Sequence, residues 1–320
     1  MPDSDELPPE PRLRGPLRND VELGAVVLFW GFNFVAIKAG LREVEPLAYN
    51  AVRFSCAAVI LLVLARALEG PLALRRRDRG RLVLLGILGH AVYQICFIEG
   101  LARTSASSAA IIFGSTPVVV GLLSRLAGHE RIGPRGFSGA LLGFFGIYLI
   151  VEGADVACGP AAAGELLGNV LIVCAVLCWS TYTVMARDLL LRYSPLRVTA
   201  VTLAIGTALL VPAAVPQAVR QDWGAISAAT WAGIVYSFLF ALVISYVLWY
   251  RSVKQVGNLR TAVYSNLVPV FGTLFGVLLL GDRLTAGLGL GAVCILGGIV
   301  LTRLNRLDRV SPSVSPRHKA

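Results

Sequence analysis

The sequence predicts an all-α membrane protein with ten transmembrane helices, arranged as two inverted five-helix repeats. Three observations support this fold class. Hydrophobic residues make up 56% of the 320 residues and charged residues only 15%, which is too little charge to cover a soluble domain of this length. Basic residues are concentrated in alternate segments between long apolar stretches, and the two halves of the chain share an internal repeat.

The apolar stretches are the elements of this prediction, because a helix that spans a bilayer needs about 20 mostly apolar residues. Ten stretches qualify: 21–41, 47–68, 81–101, 105–127, 136–151, 164–187, 196–218, 228–250, 260–280 and 286–304. We expect the first repeat to occupy residues 21–152 and the second residues 164–304. The polar segments 1–20 and 305–320 are expected to be disordered cytoplasmic tails.

The positions of the basic residues test this count. With the N-terminus in the cytoplasm, 23 of the 29 Lys and Arg residues fall in cytoplasmic segments. The outward segments carry only Arg42, Arg103, Arg220 and Arg283. This positive-inside bias predicts an even number of helices with both termini in the cytoplasm. It also explains the net charge of +10 without nucleic-acid binding, which we do not expect.

The internal repeat indicates how the two halves are related. Trp30 aligns with Trp179, Pro46 with Pro195 and Pro117 with Pro269, in the same order and at a nearly constant offset. Each repeat holds five predicted helices, so two tandem copies must enter the membrane from opposite sides. Inverted repeats are typical of secondary transporters, in which the two halves exchange outward-open and inward-open conformations.

The chain also resembles the drug/metabolite transporter superfamily, specifically proteins with two EamA-type domains, over residues 21–304. The motifs that carry the resemblance are Trp30-Gly-Phe-Asn-Phe with Lys38, Pro46 with Arg53-Phe54, residues 104–110 with Pro117 and Glu130-Arg131, Ser265-Asn-Leu-Val-Pro269, and Gly281-Asp-Arg-Leu284. Asp282 stands where the family usually has Glu. The resemblance implies ten helices, a central cavity between the halves, and export or import of amino acids, related metabolites or drugs.

Ionisable residues inside the predicted spans are candidates for the substrate site, because charge is costly in a bilayer. Lys38 and Glu99 lie near the outer ends of the first and third spans, whereas Arg53 lies deeper, about 9 Å from the outer end at 1.5 Å per residue. Together they could bind a carboxylate or phosphate; the alternatives are snorkelling for Lys38 and Glu99 and a salt bridge or cap for Arg53. His90 is mid-span, where it could couple protons or simply bond between helices.

Polar and aromatic residues within the spans are candidates to line a cavity for an amphipathic solute, with packing as the alternative. These candidates are Trp30, Asn33, Tyr93, Ser115, Trp179, Tyr182, Tyr264 and Asn266. Pro117 and Pro269 occupy equivalent positions in the fourth and ninth spans, where they could act as gates or set helix curvature. Repeated glycines permit close helix packing, within the bundle or at a homodimer face.

The expected function is secondary transport of a small metabolite across the plasma membrane by alternating access. An amino acid or related compound is the expected cargo, and export the expected direction. Multidrug and nucleotide-sugar carriers share the architecture and stay open as alternatives. A membrane-embedded enzyme would need a convergent acid/base or metal set, and a scaffold would need larger soluble surfaces. We expect no cofactor, no metal and no catalytic residues, and the lipid bilayer and a small-molecule substrate as partners.

Overall fold

The computed structural model describes residues 16–128, 134–152, 160–265, 267–280 and 286–307. Within these ranges the chain is helical, with short connections and no β-strand. Several sequence predictions fall outside them: most of both tails, Glu130-Arg131, the 281–284 motif and Asn266. Residues 16–20, part of the predicted N-terminal tail, belong to the first helix. The Asn19 side chain accepts a hydrogen bond from Ser252 at 2.9 Å, which ties this turn to the rest of the bundle.

The helices are numbered here in chain order, with interrupted helices kept under one number. They are α1 (Pro16–Gly40), α2 (Pro46–Glu69), α3 (Arg76–Arg103), α4 (Ala106–Phe113 and Thr116–Leu126), α5 (Pro134–Glu152), α6 (Pro160–Leu190), α7 (Pro195–Arg220), α8 (Ala228–Val256), α9 (Asn258–Tyr264, Leu267–Phe275 and the π-helical Gly276–Leu280) and α10 (Ala286–Leu307).

Seven helices of the described residues are long and apolar enough to cross a membrane, judged by length and composition. They are α1, α2, α3, α6, α7, α8 and α9. The other three predicted spans contain the shorter apolar stretches Thr116–Leu126, Gly136–Gly146 and Gly289–Gly298. The chain is therefore a multi-pass all-helical membrane protein, and the count of ten spans stays a prediction.

Proline and serine fix several helix starts. Pro46 opens α2 and Pro195 opens α7, where a missing N–H costs nothing because the first-turn donors have no partner within the helix. Ser194 precedes α7, and its hydroxyl accepts a hydrogen bond from the Arg197 N–H at 3.0 Å. Equivalent helices in the two halves of the sequence therefore begin with the same signal.

Two helices are interrupted inside the bundle, each shortly before a proline. In α4 the chain leaves helical geometry at Gly114 and Ser115, ahead of Pro117, and in α9 it does so at Ser265, ahead of Pro269. The carbonyls before each break are satisfied locally. Ile112 O accepts from both the N–H and the hydroxyl of Ser115, and Ala262 O accepts from both groups of Ser265, at 3.0 Å from the N–H and 2.6 Å from the hydroxyl in each case. Such breaks are tolerated in a membrane only where nearby groups replace the lost backbone bonds.

The packing between helices is unchanged when the two sequence halves are exchanged. Helix α1 packs on α8 and α9, and α6 packs on α3 and α4, which are the corresponding helices of the other half. Helix α2 packs along α7, and α5 packs along α10. Each half thus packs chiefly against the other, so the bundle is one unit with the interface between the halves at its centre.

Glycines permit the closest approaches at this interface. A Cβ added to Gly206 in α7 would overlap the Cβ of His90 and lie 2.7 Å from the Gly86 carbonyl oxygen of α3. A Cβ on Gly298 in α10 would lie 2.9 Å from the backbone N of Gly143 in α5. Real Cβ atoms do not come this close to backbone, so any larger side chain would push the helices apart.

We predict that Gly206→Ala destabilises the protein by about 1 to 3 kcal/mol, the usual cost of overpacking a tightly filled interior. Thermal unfolding of the detergent-solubilised protein measures this as a lowered melting temperature. Gly24→Ala is the matched control, because a Cβ on Gly24 in α1 meets nothing within 4 Å. An equal melting temperature for both variants would contradict the close packing of α3 on α7.

Candidate functional site

A cavity lies at the interface of the two halves, near the middle of the bundle. Its open space, counted together with the solvent at its mouth, is about 550 Å³. Helices α1, α2, α3, α4, α6, α8 and α9 contribute to its wall. The described lining residues are Trp30, Asn33, Phe34, Arg53, Tyr93, Gln94, Phe97, Phe113, Thr116, Trp179, Ala241, Leu242, Tyr246, Ser265 and Val268.

Two helices that line the cavity contain π-helical segments beside it. The segment in α3 is Ile87–Val92, directly before Tyr93 and Gln94, and the segment in α8 is Ser237–Ile244, which includes Ala241 and Leu242. A π-helical turn widens the backbone and redirects the side chains around it, and such turns are frequent at functional sites. Helices α3 and α8 are equivalent in the sequence repeat, so both halves have a π-helical segment in the corresponding helix.

An aromatic wall forms one side of the cavity and joins the two halves. The Trp30 and Trp179 rings, which are equivalent in the repeat, lie 5.7 Å apart between centroids in an edge-to-face arrangement. The Tyr246 ring lies 5.2 Å from Trp179, and the Tyr93 ring 5.3 Å from it. Trp30 is fixed by a 3.0 Å hydrogen bond from its Nε1 to the Ala241 carbonyl oxygen.

Arg53 supplies the charge at this cavity. It is 1% exposed, and no other described lining residue is ionised at neutral pH. Its Nε and Nη1 atoms are buried and have no hydrogen-bond partner among the described residues. Its guanidinium carbon lies 5.9 Å from the Tyr49 ring centre and 5.7 Å from that of Phe54.

Amide side chains of α1, α2 and α3 form hydrogen bonds at the polar part of the cavity wall. Asn33 Oδ1 accepts a 2.5 Å hydrogen bond from the hydroxyl of Ser237, which belongs to the other half. The Asn50 amide donates to both the carbonyl oxygen and Oε1 of Gln94, each at 3.2 Å. These bonds fix the orientation of Asn33 and Gln94 at the cavity wall.

His90 and Tyr182 lie behind the wall and do not line the cavity. His90 Nε2 is 3.0 Å from the Tyr182 hydroxyl and 3.2 Å from the Thr202 hydroxyl, and the two hydroxyls are 2.7 Å apart. This buried cluster joins α3 to α6 and α7, and the His90 ring also contacts Tyr246 at 5.6 Å between centroids.

The predicted cluster of Lys38, Arg53 and Glu99 is not assembled around the cavity. Lys38 Nζ donates to the Thr104 and Leu101 carbonyl oxygens at 2.8 and 3.0 Å, so it caps the C-terminal end of α3. Glu99 forms an ion pair with Arg103. The three residues differ in their position along their helices. Lys38 and Glu99 lie near helix ends and contact groups there, whereas Arg53 lies deeper and lines the cavity.

Ser115 and Tyr264, two further candidates, are not among the described lining residues of the cavity. Ser115 serves the break in α4, and the Tyr264 hydroxyl donates to Asp20 near the start of α1. Asn266 lies outside the described residues. Tyr246 and the phenylalanines of the lining were missed, because apolar spans hide which aromatic side chains face inward. A tyrosine within an apolar span was the available signal for Tyr246.

Contacts between the two halves also flank the cavity at both ends of the bundle. At the arginine-rich end, the Ser194 hydroxyl donates to Glu69 at 2.6 Å and Arg197 Nε lies 3.3 Å from the same carboxylate. There Asp78, which is 3% exposed, accepts from the Tyr193 hydroxyl at 2.8 Å and pairs with Arg192 at 3.2 Å. Arg81 pairs with Asp188 at 2.7 Å.

At the opposite end the contacts are mostly hydrogen bonds to backbone. The Glu43 carboxylate accepts from the Ser227 N–H at 2.8 Å and from its hydroxyl at 2.9 Å. The side-chain oxygens of Gln221 and Gln217 accept from the N–H groups of Glu45 at 2.9 Å and Leu47 at 2.7 Å. These contacts join the α1–α2 and α7–α8 connections.

An all-helical membrane protein with a central cavity between two packed halves is the structure of a membrane transporter. The sequence profile of the EamA-like transporter family matches residues 23–152 and 166–304, so the chain belongs to this family, which lies in the drug/metabolite transporter superfamily. The relatives reported below are named as transporters or as an efflux pump, not as enzymes.

Curated relatives from several organisms match over most of their length. The uncharacterized transporter YetK of Bacillus subtilis is 27% identical over 89% of this chain and 87% of its own. An uncharacterized transporter of Archaeoglobus fulgidus is 28% identical over 88% and 95%. A "Probable amino-acid metabolite efflux pump" of Escherichia coli is 26% identical over 86% and 91%. A solved structure titled "Crystal structure of protein" has the same fold, with a TM-score of 0.73 at 20% identity over 93% of this chain and 100% of that one.

The Glu43 contact makes a prediction about pH. The hydrogen bonds from Ser227, the backbone N–H first, lower the pKa of Glu43 below its ordinary value of 4.5. A lowered folded-state pKa stabilises the fold above the unfolded-state pKa and loses that contribution as the pH falls through the folded value. Melting temperatures of wild type and Glu43→Gln should therefore differ at pH 7 and converge as the pH falls below 4.5 and through the lowered folded-state pKa of Glu43. A constant difference at all pH values would contradict the contact.

Proposed function

We propose that this protein is a secondary transporter that exports an amino acid or related compound by alternating access. The observation that carries the proposal is the central cavity, whose wall combines residues of both halves. A site built across two bodies changes its access whenever those bodies move relative to each other. Multidrug and nucleotide-sugar transport are the other cargo classes of this architecture.

The correspondence between the two halves supports the inverted repeat that this mechanism requires. The helix contacts are unchanged when the halves are exchanged, and the interruptions in α4 and α9 and the π segments in α3 and α8 occur in equivalent helices. Discontinuous helices beside a central cavity are typical of transporters. We therefore propose ten membrane-spanning helices, with the first five and the last five inverted relative to each other.

The contacts at the two ends support a rocking motion. Glu69 and Asp78 join the halves at one end, and Glu43 and the two glutamines join them at the other. Opening the cavity to either side would break one set and keep the other as the pivot. We propose that the arginine-rich end faces the cytoplasm of a plasma membrane, with both termini on that side.

The name of one relative supports the cargo and the direction. The E. coli relative at 26% identity is named a probable amino-acid metabolite efflux pump. The mixed aromatic and amide lining of the cavity suits an amphipathic solute such as an amino acid. Export of an amino acid or related compound is therefore the first hypothesis to test.

Transport in proteoliposomes tests this proposal. Purified protein should exchange internal for external radiolabelled solute, drawn from a panel of amino acids and related acids, above the rate of empty liposomes. Trp179→Ala should lower this exchange by about tenfold, which corresponds to roughly 1.4 kcal/mol, because it removes the ring at the centre of the aromatic wall. Trp231→Ala is the matched control, since Trp231 is 38% exposed on the outer surface of α8.

The outcome that would contradict transport is clear. Folded wild-type protein that exchanges no solute of the panel, and no nucleoside or cationic drug either, would overturn the proposed function. Equal loss of exchange in Trp179→Ala and Trp231→Ala would remove the cavity from the mechanism.

Weakening one set of end contacts should shift the conformational equilibrium. We predict that Glu69→Gln with Asp78→Asn favours opening at the arginine-rich end, because both substitutions remove charge pairs between the halves. Spin labels at Leu68 and Leu191, which are 73% and 74% exposed, measure the separation in a variant without native cysteines. Asp222→Asn is the control, because this side chain bonds only locally to the Gly224 N–H among the contacts of the described residues. An unchanged distance distribution in the double variant would argue against these contacts as a gate.

A further inference from the structure

We propose that Arg53 binds the carboxylate of the transported solute, so that the cavity selects small compounds with one anionic group and does not require an ammonium group. The proposal rests on the proposed transport function and names the chemistry of the same site. Four observations on Arg53 and its surroundings carry it.

The first observation is an uncompensated buried charge. Arg53 is 1% exposed, and its Nε and Nη1 atoms have no hydrogen-bond partner among the described residues. An arginine does not shed its proton in a protein, so it cannot escape the cost of burial by becoming neutral. A buried ion without a partner is strongly unfavourable, and it is retained where a partner arrives during function.

The second observation is that no described acceptor bonds to Nε or Nη1 of Arg53. The Asn50 amide nitrogen, one turn before Arg53, donates to Gln94 while Asn50 Oδ1 has no partner among the described residues, and Glu99 pairs with Arg103. The Tyr49 and Phe54 rings lie near the guanidinium, which eases its burial without satisfying its donors. A structural salt bridge or helix cap, the alternatives open from the sequence, is therefore not made by the described residues.

The third observation is access. Arg53 lines the central cavity together with Trp30, Tyr93 and Tyr246, so its side chain adjoins the solute space. The planar guanidinium presents paired N–H groups that match the two oxygens of a carboxylate. The aromatic rings beside it would contact an apolar body attached to that carboxylate.

The fourth observation is the charge balance of the lining. Arg53 is the only ionised group among the described lining residues, and one positive charge is compensated by one negative charge. A phosphate dianion would leave an excess negative charge in a site with no second cation. An ammonium group would find aromatic rings but no carboxylate among the described lining residues, so the carboxylate that pairs with Arg53 is expected to dominate recognition.

Binding of isosteric probes tests the proposal on the full-length protein in detergent. The probes are 3-phenylpropanoate and 3-phenylpropanamide, which share shape and differ in the anionic group, measured by isothermal titration calorimetry. Wild type should bind the acid about tenfold or more tightly than the amide, as expected for a charge-assisted hydrogen bond. Arg53→Gln should reduce this preference to about threefold or less, with Arg53→Lys intermediate because it keeps the charge without the fork.

Two controls separate binding from folding. Arg66→Gln removes an exposed arginine of the same helix and should keep the full preference for the acid. The melting temperature of ligand-free Arg53→Gln should equal or exceed that of wild type, because the variant removes an unpaired buried charge. A large loss of melting temperature in Arg53→Gln would indicate that Arg53 has a structural partner and would count against the proposal. The comparison of acid and amide on wild type does not depend on any variant.

Several results would overturn the proposal. These are an amide bound as tightly as the acid, an acid preference retained in Arg53→Gln, tighter binding of phenyl phosphate or phenethylamine, or no response to any amino, oxo or hydroxy acid. Exchange in proteoliposomes distinguishes a failure of the proposed role of Arg53 from a failure of the proposed transport function. Exchange of neutral or cationic solutes without carboxylates overturns the role of Arg53 and leaves transport standing. Carboxylate binding without exchange of any solute overturns transport and leaves the role of Arg53 standing.

Discussion

Backbone hydrogen bonding in a medium without water is the constraint on which the rest of this structure depends. Regular helices satisfy it internally, and every departure from regular geometry needs a local substitute. The Ser115 and Ser265 hydroxyls supply it at the interruptions of α4 and α9, and the Ser245 hydroxyl bonds to the Phe240 carbonyl oxygen at 2.7 Å, where the π segment of α8 ends. The interruptions of α4 and α9 and the π segments of α3 and α8 line or adjoin the cavity, which is where neighbouring helices can shield them from lipid.

The same constraint explains why the site lies between the halves. A helix packed along its whole length has no room for a solute, so space arises where π turns and breaks disturb the packing. The close contacts of α3 with α7 around Gly206, and of α5 with α10 around Gly298, keep the rest of the bundle filled. Tightly packed contacts between the halves thus surround one central space.

Much of the fold could be predicted from the sequence, because apolar length and loop charge belong to the chain itself. The repeat also pointed correctly to a pairing: Trp30 and Trp179, matched by sequence, meet at the cavity wall. The site was predicted less well. Lys38, Arg53 and Glu99 look alike in a hydropathy plot, yet only Arg53 lies deep enough to reach the cavity, while Lys38 finds backbone carbonyls at the end of α3. Tyr246 could not be singled out, since the rotation of α8 depends on its π segment and not on local composition.

The two ends of the bundle are joined by different chemistry, and this difference has a consequence for the medium around the protein. Charge pairs such as Glu69 with Arg197 weaken as ionic strength rises, with a screening length of about 8 Å at 0.15 M salt. The amide hydrogen bonds of Gln217 and Gln221 are nearly indifferent to salt. Dissolved ions therefore act on one end of the molecule more than on the other, so that under the proposed rocking motion the salt content on that side would favour opening there.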